Sequence, residues 1–297
     1  MKNDYKGIPF WSWNDELEEK ELEKQITWMK ETGLGGFFIH ARGGLRTEYL
    51  GEKWFKCVEK SVKKAEELGL DAYVYDENGW PSGFVGGKLL DNIEFRDTYL
   101  TYKLGAFDEN AYASYSNDGE KRVYEGNDCI NVYLNYSVST VDVLNANTVK
   151  AFIEQTHKEY KKRVKGIKGF FTDEPQLSRR GLPWSLILED EYQKEYGENL
   201  AEYLYDMFAD TKTCYRTRYR FWKLVTRLFC ENYMKKIYDW CNENGTQLTG
   251  HMVIEEAIHD QIDCNGAIMP NYEYFHIPGI DKLCRSVNRS LLVPQVI

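Results

Sequence analysis

Val164-Lys-Gly-Ile-Lys-Gly-Phe-Phe-Thr-Asp-Glu-Pro-Gln176 decides how the chain is read. Gly166 closes a basic, helix-like run, and Ile167 to Phe171 is a short apolar strand candidate. Thr172, Asp173 and Glu174 stand where that strand must stop, because Pro175 has no N–H to offer a ladder. A carboxylate pair at a strand end is the first feature to explain.

Working outward, the same pattern recurs on both sides. Leu34-Gly-Gly-Phe-Phe-Ile-His40 is an apolar strand finishing in His40, Ala41 and Arg42, with Gly43 and Gly44 turning the chain away. Leu70 to Tyr75 is another, ending in Asp76-Glu-Asn-Gly-Trp-Pro-Ser-Gly83, and Gly245-Thr-Gln-Leu-Thr-Gly-His251 is a further one. Each comes after a helical stretch that stops at or near a glycine. One carries Trp54, Phe55, Val58, Val62, Ala65 and Leu68 on a single face before Gly69, and another places Leu22, Ile26 and Met29 at helical spacing after a cap at Asn14 or Asp15. A long helix is expected from about Tyr215 to Asn244, with Trp222, Phe229, Tyr233, Ile237 and Trp240 facing inward.

Short buried strands alternating with helices mean parallel βαβ units. Polar groups gathered at the C-terminal ends of those strands are the arrangement of a TIM-like (β/α)-barrel, whose opposite face serves stability. Adding Gly7 to Trp13 at the start and Tyr274 to Asp281 near the end gives six strands where a closed barrel needs eight, so the barrel is expected to be incomplete at the C-terminus. Residues 97–143 break the rhythm with alternating Tyr, Val and Leu around Asn-Asp-Gly and Gly-Asn-Asp turns, the signature of a small antiparallel β insertion after the third strand. The organisation expected is one α/β domain over 1–297 carrying that insertion.

The net charge of −9, with no basic block, argues against nucleic acid or an anionic membrane as a partner. Lys2, Asn3, Asp4 and Tyr5 begin the chain without an apolar run, so neither a signal peptide nor a membrane span is expected and the location expected is cytoplasmic. Seven scattered cysteines form no Cys-x-x-Cys pair and are read as reduced and buried. Open edges of an unclosed barrel would favour self-association.

The residues with chemistry to offer are Glu174, Asp173, Asp76, Glu77, His40, Arg42, His251, Glu255, Glu256 and Asp281. Each alone has a plain alternative: a carboxylate after a strand often caps the next helix, and a strand-end histidine is often a hydrogen-bonded core residue. A fold that gathers strand ends brings most of them into one bowl. Glu174 and Asp173 have opposite parity, so one is expected to face the bowl while the other accepts backbone hydrogen bonds at the wall. A carboxyl beside Phe170, Trp80 or Trp184 would have a raised pKa, which suits a general acid. Trp11, Trp13, Trp80 and Trp184 lie at strand ends or loops where flat faces could stack on a sugar, and one or two of the four are expected to do so, since most aromatics must be core.

Pro9-Phe-Trp-Ser-Trp-Asn14, Met29-Lys-Glu-Thr-Gly-Leu-Gly-Gly36, Ala65-Glu-Glu-Leu-Gly-Leu70 running into Asp76-Glu-Asn-Gly-Trp-Pro-Ser-Gly83, Phe171-Thr-Asp-Glu-Pro175, Thr249-Gly-His251 and Ile277-Pro-Gly-Ile-Asp281 resemble successive landmarks of the family 106 glycoside hydrolases, the α-L-rhamnosidase-like proteins. The match runs from about residue 7 to residue 285. The resemblance implies a barrel exo-glycosidase acting on a terminal, rhamnoside-like sugar with inversion, in which one carboxylic acid protonates the leaving oxygen and another activates water across roughly 6.5–9.5 Å; no cofactor and no metal are expected. Glu174 matches the fourth-strand acid, and His40, Arg42, Asp76, Glu77, Trp80, Asp173, His251 and Asp281 are the expected substrate contacts. For the second carboxylate Glu255 is chosen, with Glu256 beside it as the alternative. Family members are normally longer and carry a further strand-end glutamate beyond the point where this chain ends.

Two other readings compete. A non-catalytic carbohydrate-binding barrel would account for the missing strands. A metal-dependent sugar isomerase or hydrolase barrel could use Glu174, His251 and Asp281 as ligands, although the chain has neither His-x-His nor His-Glu-x-x-His.

Overall fold

The computed structural model describes residues 5–118, 121–255 and 257–281. Glu256 and Cys284 therefore lie outside the described residues. The strands are β1 (Phe10–Trp13), β2 (Gly36–Ala41), β3 (Asp71–Asn78), β4 (Arg96–Gly105), β5 (Ala113–Ser116), β6 (Cys129–Val141), β7 (Gly169–Asp173), β8 (Leu182–Trp184), β9 (Gln247–His251) and β10 (Ile277–Pro278). The helices are α1 (Glu19–Glu31), α2 (Glu52–Leu68), α3 (Ala146–Gln155), α4 (His157–Arg163), α5 (Leu188–Tyr196), α6 (Cys214–Phe229), α7 (Lys235–Glu243), α8 (Ile258–Asn265) and α9 (Met269–Tyr272).

Two sheets result. The first is parallel, in the order β1-β2-β3-β7-β9-β10, and the second is antiparallel, in the order β5-β6-β4-β8. Sequential parallel order with helical crossovers is what the alternating pattern dictates. A complete barrel is not formed by the described residues, whose parallel sheet has β1 and β10 as its two edges. The antiparallel strands leave the parallel sheet after β3, where the turn signals put them. Their fourth member, β8, is Leu182-Pro-Trp184, which a proline disguised in the sequence; Pro183 is tolerated because β8 is an edge strand.

The two faces of the parallel sheet differ. One row, Trp11, Trp13, Phe37, Ile39, Val74, Phe170 and Leu248, is buried; Trp13 meets Trp54 of α2 at 5.0 Å and Phe170 meets Tyr160 of α4 at 5.9 Å. The alternate row, Phe10, Phe38, His40, Tyr73, Tyr75 and Phe171, forms an aromatic inner face, with Phe10 to Phe171 at 4.8 Å and Phe38 to Phe171 at 5.3 Å. Period-two alternation thus separates core from bowl.

Local boundaries obey their own chemistry. α2 buries Trp54, Phe55, Val58, Val62 and Ala65 and stops at Gly69, whose φ of 65° supplies the left-handed cap. α1 starts at Glu19, later than a cap at Asn14 or Asp15 would allow; Asp15 instead accepts from the exposed Arg46 side chain, and no side chain caps the helix. The long C-terminal helix is α6 joined to α7 through a π-helical turn, Cys230–Met234, which carries Tyr233 against Thr172 at 3.3 Å. Cys57, Cys129, Cys214, Cys230, Cys241 and Cys264 are free and buried. No helix among the described residues is long and apolar enough to cross a membrane.

Candidate active site

Thr172 pairs with Gly250 and Asp173 with His251 at the C-terminal ends of β7 and β9. A Cβ on Gly250 would stand 2.0 Å from the Thr172 carbonyl oxygen, so only glycine lets the two backbones close there and sets His251 beside Asp173. His251 Nε2 lies 2.9 Å from Asp173 Oδ1. Its Nδ1 faces the Met252 carbonyl at 3.1 Å, Glu255 Oε1 at 3.4 Å and Glu174 Oε1 at 3.8 Å. Burial opposes charge on this imidazole, but hydrogen bonds and attraction from Asp173 and Glu255 outweigh it and push the pKa up to about 10. The site therefore contains an imidazolium ringed by carboxylates.

Asp173 takes a second donor, the Tyr75 hydroxyl, at 2.7 Å. Burial raises its pKa, and the His251 and Tyr75 hydrogen bonds more than reverse that, leaving it below the usual carboxylate range. Parity alone would send Asp173 and Glu174 to opposite sides, with Asp173 gathering backbone donors. Instead Glu174 has φ 48°, a left-handed conformation that ends the strand's alternation, and both side chains reach the same imidazole. Among the described residues, the Asp173 carboxylate receives side-chain donors only.

Glu174 Oε2 accepts the Trp80 indole N–H at 2.7 Å. Its side chain is 16% exposed, against 45% for Trp80, so the pair stands at the surface of the bowl. Burial raises the Glu174 pKa, Asp173 adds to the rise, and His251 and Trp80 oppose it. Of the aromatics expected to surround this acid, Trp80 alone is in place. Phe170 packs on His157 behind the sheet, and Trp184 stacks on Phe221. Likewise Trp11, Trp13 and Trp184 are core, which leaves Trp80 as the exposed one of the four candidate sugar platforms.

Asp76 and Glu77 are both fully buried. Asp76 lies on the helix-facing side of β3, 3.7 Å from His157 Nε2 of α4, and accepts the Ser82 hydroxyl at 2.6 Å. Burial drives its pKa well above the ordinary aspartate value and drives that of His157 down to about 3, so burial disfavours charge on both partners. Glu77 accepts five backbone N–H groups from the loop after it, those of Asn78, Gly83, Phe84, Val85 and Gly86. Burial pushes its pKa up to about 7 while those donors pull it down. The direct sugar contacts expected of Asp76 and Glu77 are thus not available, because their oxygens face the protein interior.

Glu255 is 3% exposed and lies beyond the end of β9 in a loop rather than in the strand. Its Oε1 accepts the Tyr272 hydroxyl at 2.6 Å and its Oε2 the Asp281 N–H at 3.2 Å. Asp281 itself is half-buried, and single ligand atoms of Glu174, His251 and Asp281 all lie within 4.8 Å of one another. Those three are the residues that could hold a cation. His40 is buried at the end of β2 and stacks on Tyr75 at 3.6 Å. Among the described residues neither of its ring nitrogens has a hydrogen-bond partner, and burial together with Arg42 lowers its pKa to about 4. Arg42 is exposed just beyond.

The structure therefore brings together Glu174, Asp173, His251, Glu255, Asp281 and Trp80, and withdraws Asp76 and Glu77 from the bowl. Sequence reasoning misses Tyr75, Tyr272 and Ser82. Tyr75 could have been found, since it shares the parity of Asp71 and Tyr73 on one strand face; nothing local marks Tyr272.

No protein-family model and no curated protein sequence matches the chain. Among solved structures, it is similar to a rhamnosidase from Novosphingobium sp. PP1Y, with a TM-score of 0.66 at 10% identity over 92% of this chain and 48% of that one. The chain thus spans about half the length of that enzyme. An exo-β-N-acetylglucosaminidase from Vibrio harveyi is also matched, at a TM-score of 0.39 and 10% identity over 83% of this chain and 35% of that one, too distant to argue from. The fold is glycoside-hydrolase-like.

Proposed function

We propose that the chain is a glycoside hydrolase, or the part of one that carries the proton donor, acting on a terminal sugar. The observation that carries this reading is Glu174: a strand-end carboxyl, raised in pKa by burial, fixed by an indole N–H and set at the mouth of a bowl lined by aromatic and polar groups. Such a group holds a proton longer than an ordinary glutamate and can give it to a departing oxygen. The similarity in fold to a rhamnosidase supports the same reading and is the ground for naming a rhamnoside-like sugar first.

In this proposal Glu174 transfers its proton to the glycosidic oxygen as the bond to the anomeric carbon breaks, and a water supplies the new oxygen. Asp173 and Tyr75 keep His251 charged and oriented. His40, its ring nitrogens buried, backs Tyr75 with a neutral ring, and Trp80 offers a ring face. Water activation falls to the wall formed by Glu255 and Asp281. Glu255, bonded through both oxygens, holds His251 and the Asp281 backbone, so the proton lost by the water passes to the Asp281 carboxylate, and inversion of configuration is part of the proposal to be measured.

Purified protein should hydrolyse at least one member of a panel of aryl glycosides that includes α-L-rhamnosides. Glu174→Gln should lower kcat by a factor of about 10² to 10⁴ while binding of the free sugar, read by calorimetry, stays within a few-fold. Turnover unchanged in Glu174→Gln would overturn the assignment, and binding without hydrolysis in the wild type would leave a carbohydrate-binding barrel.

One observation favours a second reading. The Glu174, His251 and Asp281 ligand atoms within 4.8 Å of one another are a donor set for a divalent cation, with Asp173 behind the histidine as an orienting carboxylate. Elemental analysis of the protein as isolated, and activity after chelation, separate the two: no bound metal and full activity in chelator remove the cation.

A further inference from the structure

The loop after β3 is built around one buried carboxylate. Glu77 Oε2 accepts the N–H groups of Gly83, Phe84 and Val85 at 3.1, 2.8 and 2.8 Å, and Oε1 accepts Asn78 at 2.8 Å and also Gly86. Five donors converging on one side chain impose a closed path on 78–86. The path is one the residues would not choose: Val85, β-branched, has φ 56°, a strained conformation that persists only where the surroundings over-determine it. Its own N–H is one of the five.

The loop so closed is clasped to the end of β7. Ser82 N–H donates to the Asp173 carbonyl at 2.9 Å, Asp173 N–H donates to Ser82 Oγ at 2.8 Å, and the Tyr75 hydroxyl, bonded to Asp173 Oδ2 at 2.7 Å, also lies 3.0 Å from the Gly79 carbonyl. Between those fixed points Trp80 projects, 45% exposed, and its indole N–H meets Glu174 Oε2 at 2.7 Å. An exposed side chain with two free torsions holds such a bond only where its backbone is held.

We infer that Glu77 is a positioning residue for the proton donor: by gathering the loop's N–H groups it sets the Trp80 indole on Glu174 Oε2, and so fixes the direction of that carboxyl. The inference rests on the glycosidase reading for its consequence in turnover, while its structural step can be read without any turnover.

A spectroscopic signature separates this from a merely structural role. In protein labelled with ¹⁵N at tryptophan, the Trp80 indole N–H signal is assigned by its absence in Trp80→Phe, and Glu174→Ala, which removes the acceptor, gives the position of the unbonded indole. Glu77→Gln should move the Trp80 signal toward that position and speed its exchange with solvent several-fold, while the signals of the buried Trp13 and Trp54 stay in place. On a hydrolysed glycoside, Glu77→Gln and Trp80→Phe should each lower kcat about tenfold with KM within a few-fold, and the double variant should lose no more than either alone, as expected when two residues act through one contact. Glu77→Asp, which is one methylene shorter, serves if Glu77→Gln does not fold and should move the Trp80 signal in the same direction. A Trp80 signal unmoved in the Glu77 variant, or losses in kcat that multiply in the double variant, overturns the inference. A panel showing no hydrolysis by the wild type counts against the glycosidase reading and leaves the indole comparison standing.

Discussion

An Asp-Glu pair stands at the C-terminal end of both β3 and β7, and the two pairs have opposite fates. Asp76 and Glu77 are fully buried, whereas the Asp173 and Glu174 side chains are 14% and 16% exposed and meet in the bowl. The difference begins with one step of parity. Tyr75 pairs with Phe171 on the inner face, so Asp76 falls on the helix-facing row with Thr172, while Asp173 falls on the inner row with Phe171. A shift of one residue exchanges the faces of a strand. The residues after each pair complete the contrast. Beyond Glu77 come Gly79, Gly83, Gly86 and Gly87, which let the chain fold back and cap the strand end with its own N–H groups. Beyond Glu174 comes Pro175, which has no N–H to give, and the carboxylate is left facing the bowl. The same dipeptide is a loop anchor in one place and a candidate acid in the other, and the first holds the cover over the second.

Asp173 is where a substitution does the most damage to the exposed pair. Asp173→Asn removes the acceptor that keeps His251 charged, and kcat should fall by about 10²-fold or more, with the His251 titration, followed by NMR, moving down from about 10. An imidazole that still titrates near 10 would mean that Glu255 alone holds the charge. Next in size is Glu77→Ala, which leaves five N–H groups facing a cavity and should cost about 3–5 kcal/mol in chemical denaturation, where loss of an exposed strand-end carboxylate would cost under about 1 kcal/mol.

The pH dependence of stability sharpens the contrast further. Both Glu77 and His251 have folded-state pKa values above their ordinary ones, about 7 against 4.5 and about 10 against 6.5. Each therefore adds stability that is complete below the ordinary value and is lost as pH rises through the folded one. Thermal unfolding should show two separate declines, one between about pH 4.5 and 7 that is flattened in Glu77→Gln, and one between about pH 6.5 and 10 that is reduced in Asp173→Asn. A single decline common to both variants would say that the pairs are not independent. Smallest is Tyr272→Phe, which removes one hydrogen bond to Glu255 and should cost about 1–2 kcal/mol in stability, with little change in the His251 titration.

Much of this is legible in the sequence because glycines and helix faces punctuate the chain. The strand ends at His40, Tyr75, Asp173 and His251 can be found from local pattern, and the sequential parallel sheet is built from them. The assignment of roles is harder. Nothing within the sequence of Asp76-Glu-Asn-Gly-Trp-Pro-Ser-Gly83 says that five of the amides after Glu77 will turn back on it, since that is a property of the closed loop. The left-handed backbone at Glu174 is equally hidden, and with it the convergence of Asp173 and Glu174 on one imidazole. Trp11, Trp13 and Trp184 look like platforms because they sit near strand ends, but parity and the antiparallel sheet turn them inward. β8 escapes notice because an edge strand can carry a proline and a central one cannot.

The central claim is that Glu174 gives its proton to the departing oxygen, and leaving-group dependence tests it most directly. In Glu174→Gln, hydrolysis of an alkyl glycoside, whose alkoxide must be protonated to leave, is compared with hydrolysis of the dinitrophenyl glycoside of the same sugar, whose phenolate leaves unaided. The account predicts a loss of about 10³-fold or more on the alkyl substrate and of about tenfold or less on the dinitrophenyl one; equal losses on the two would contradict it.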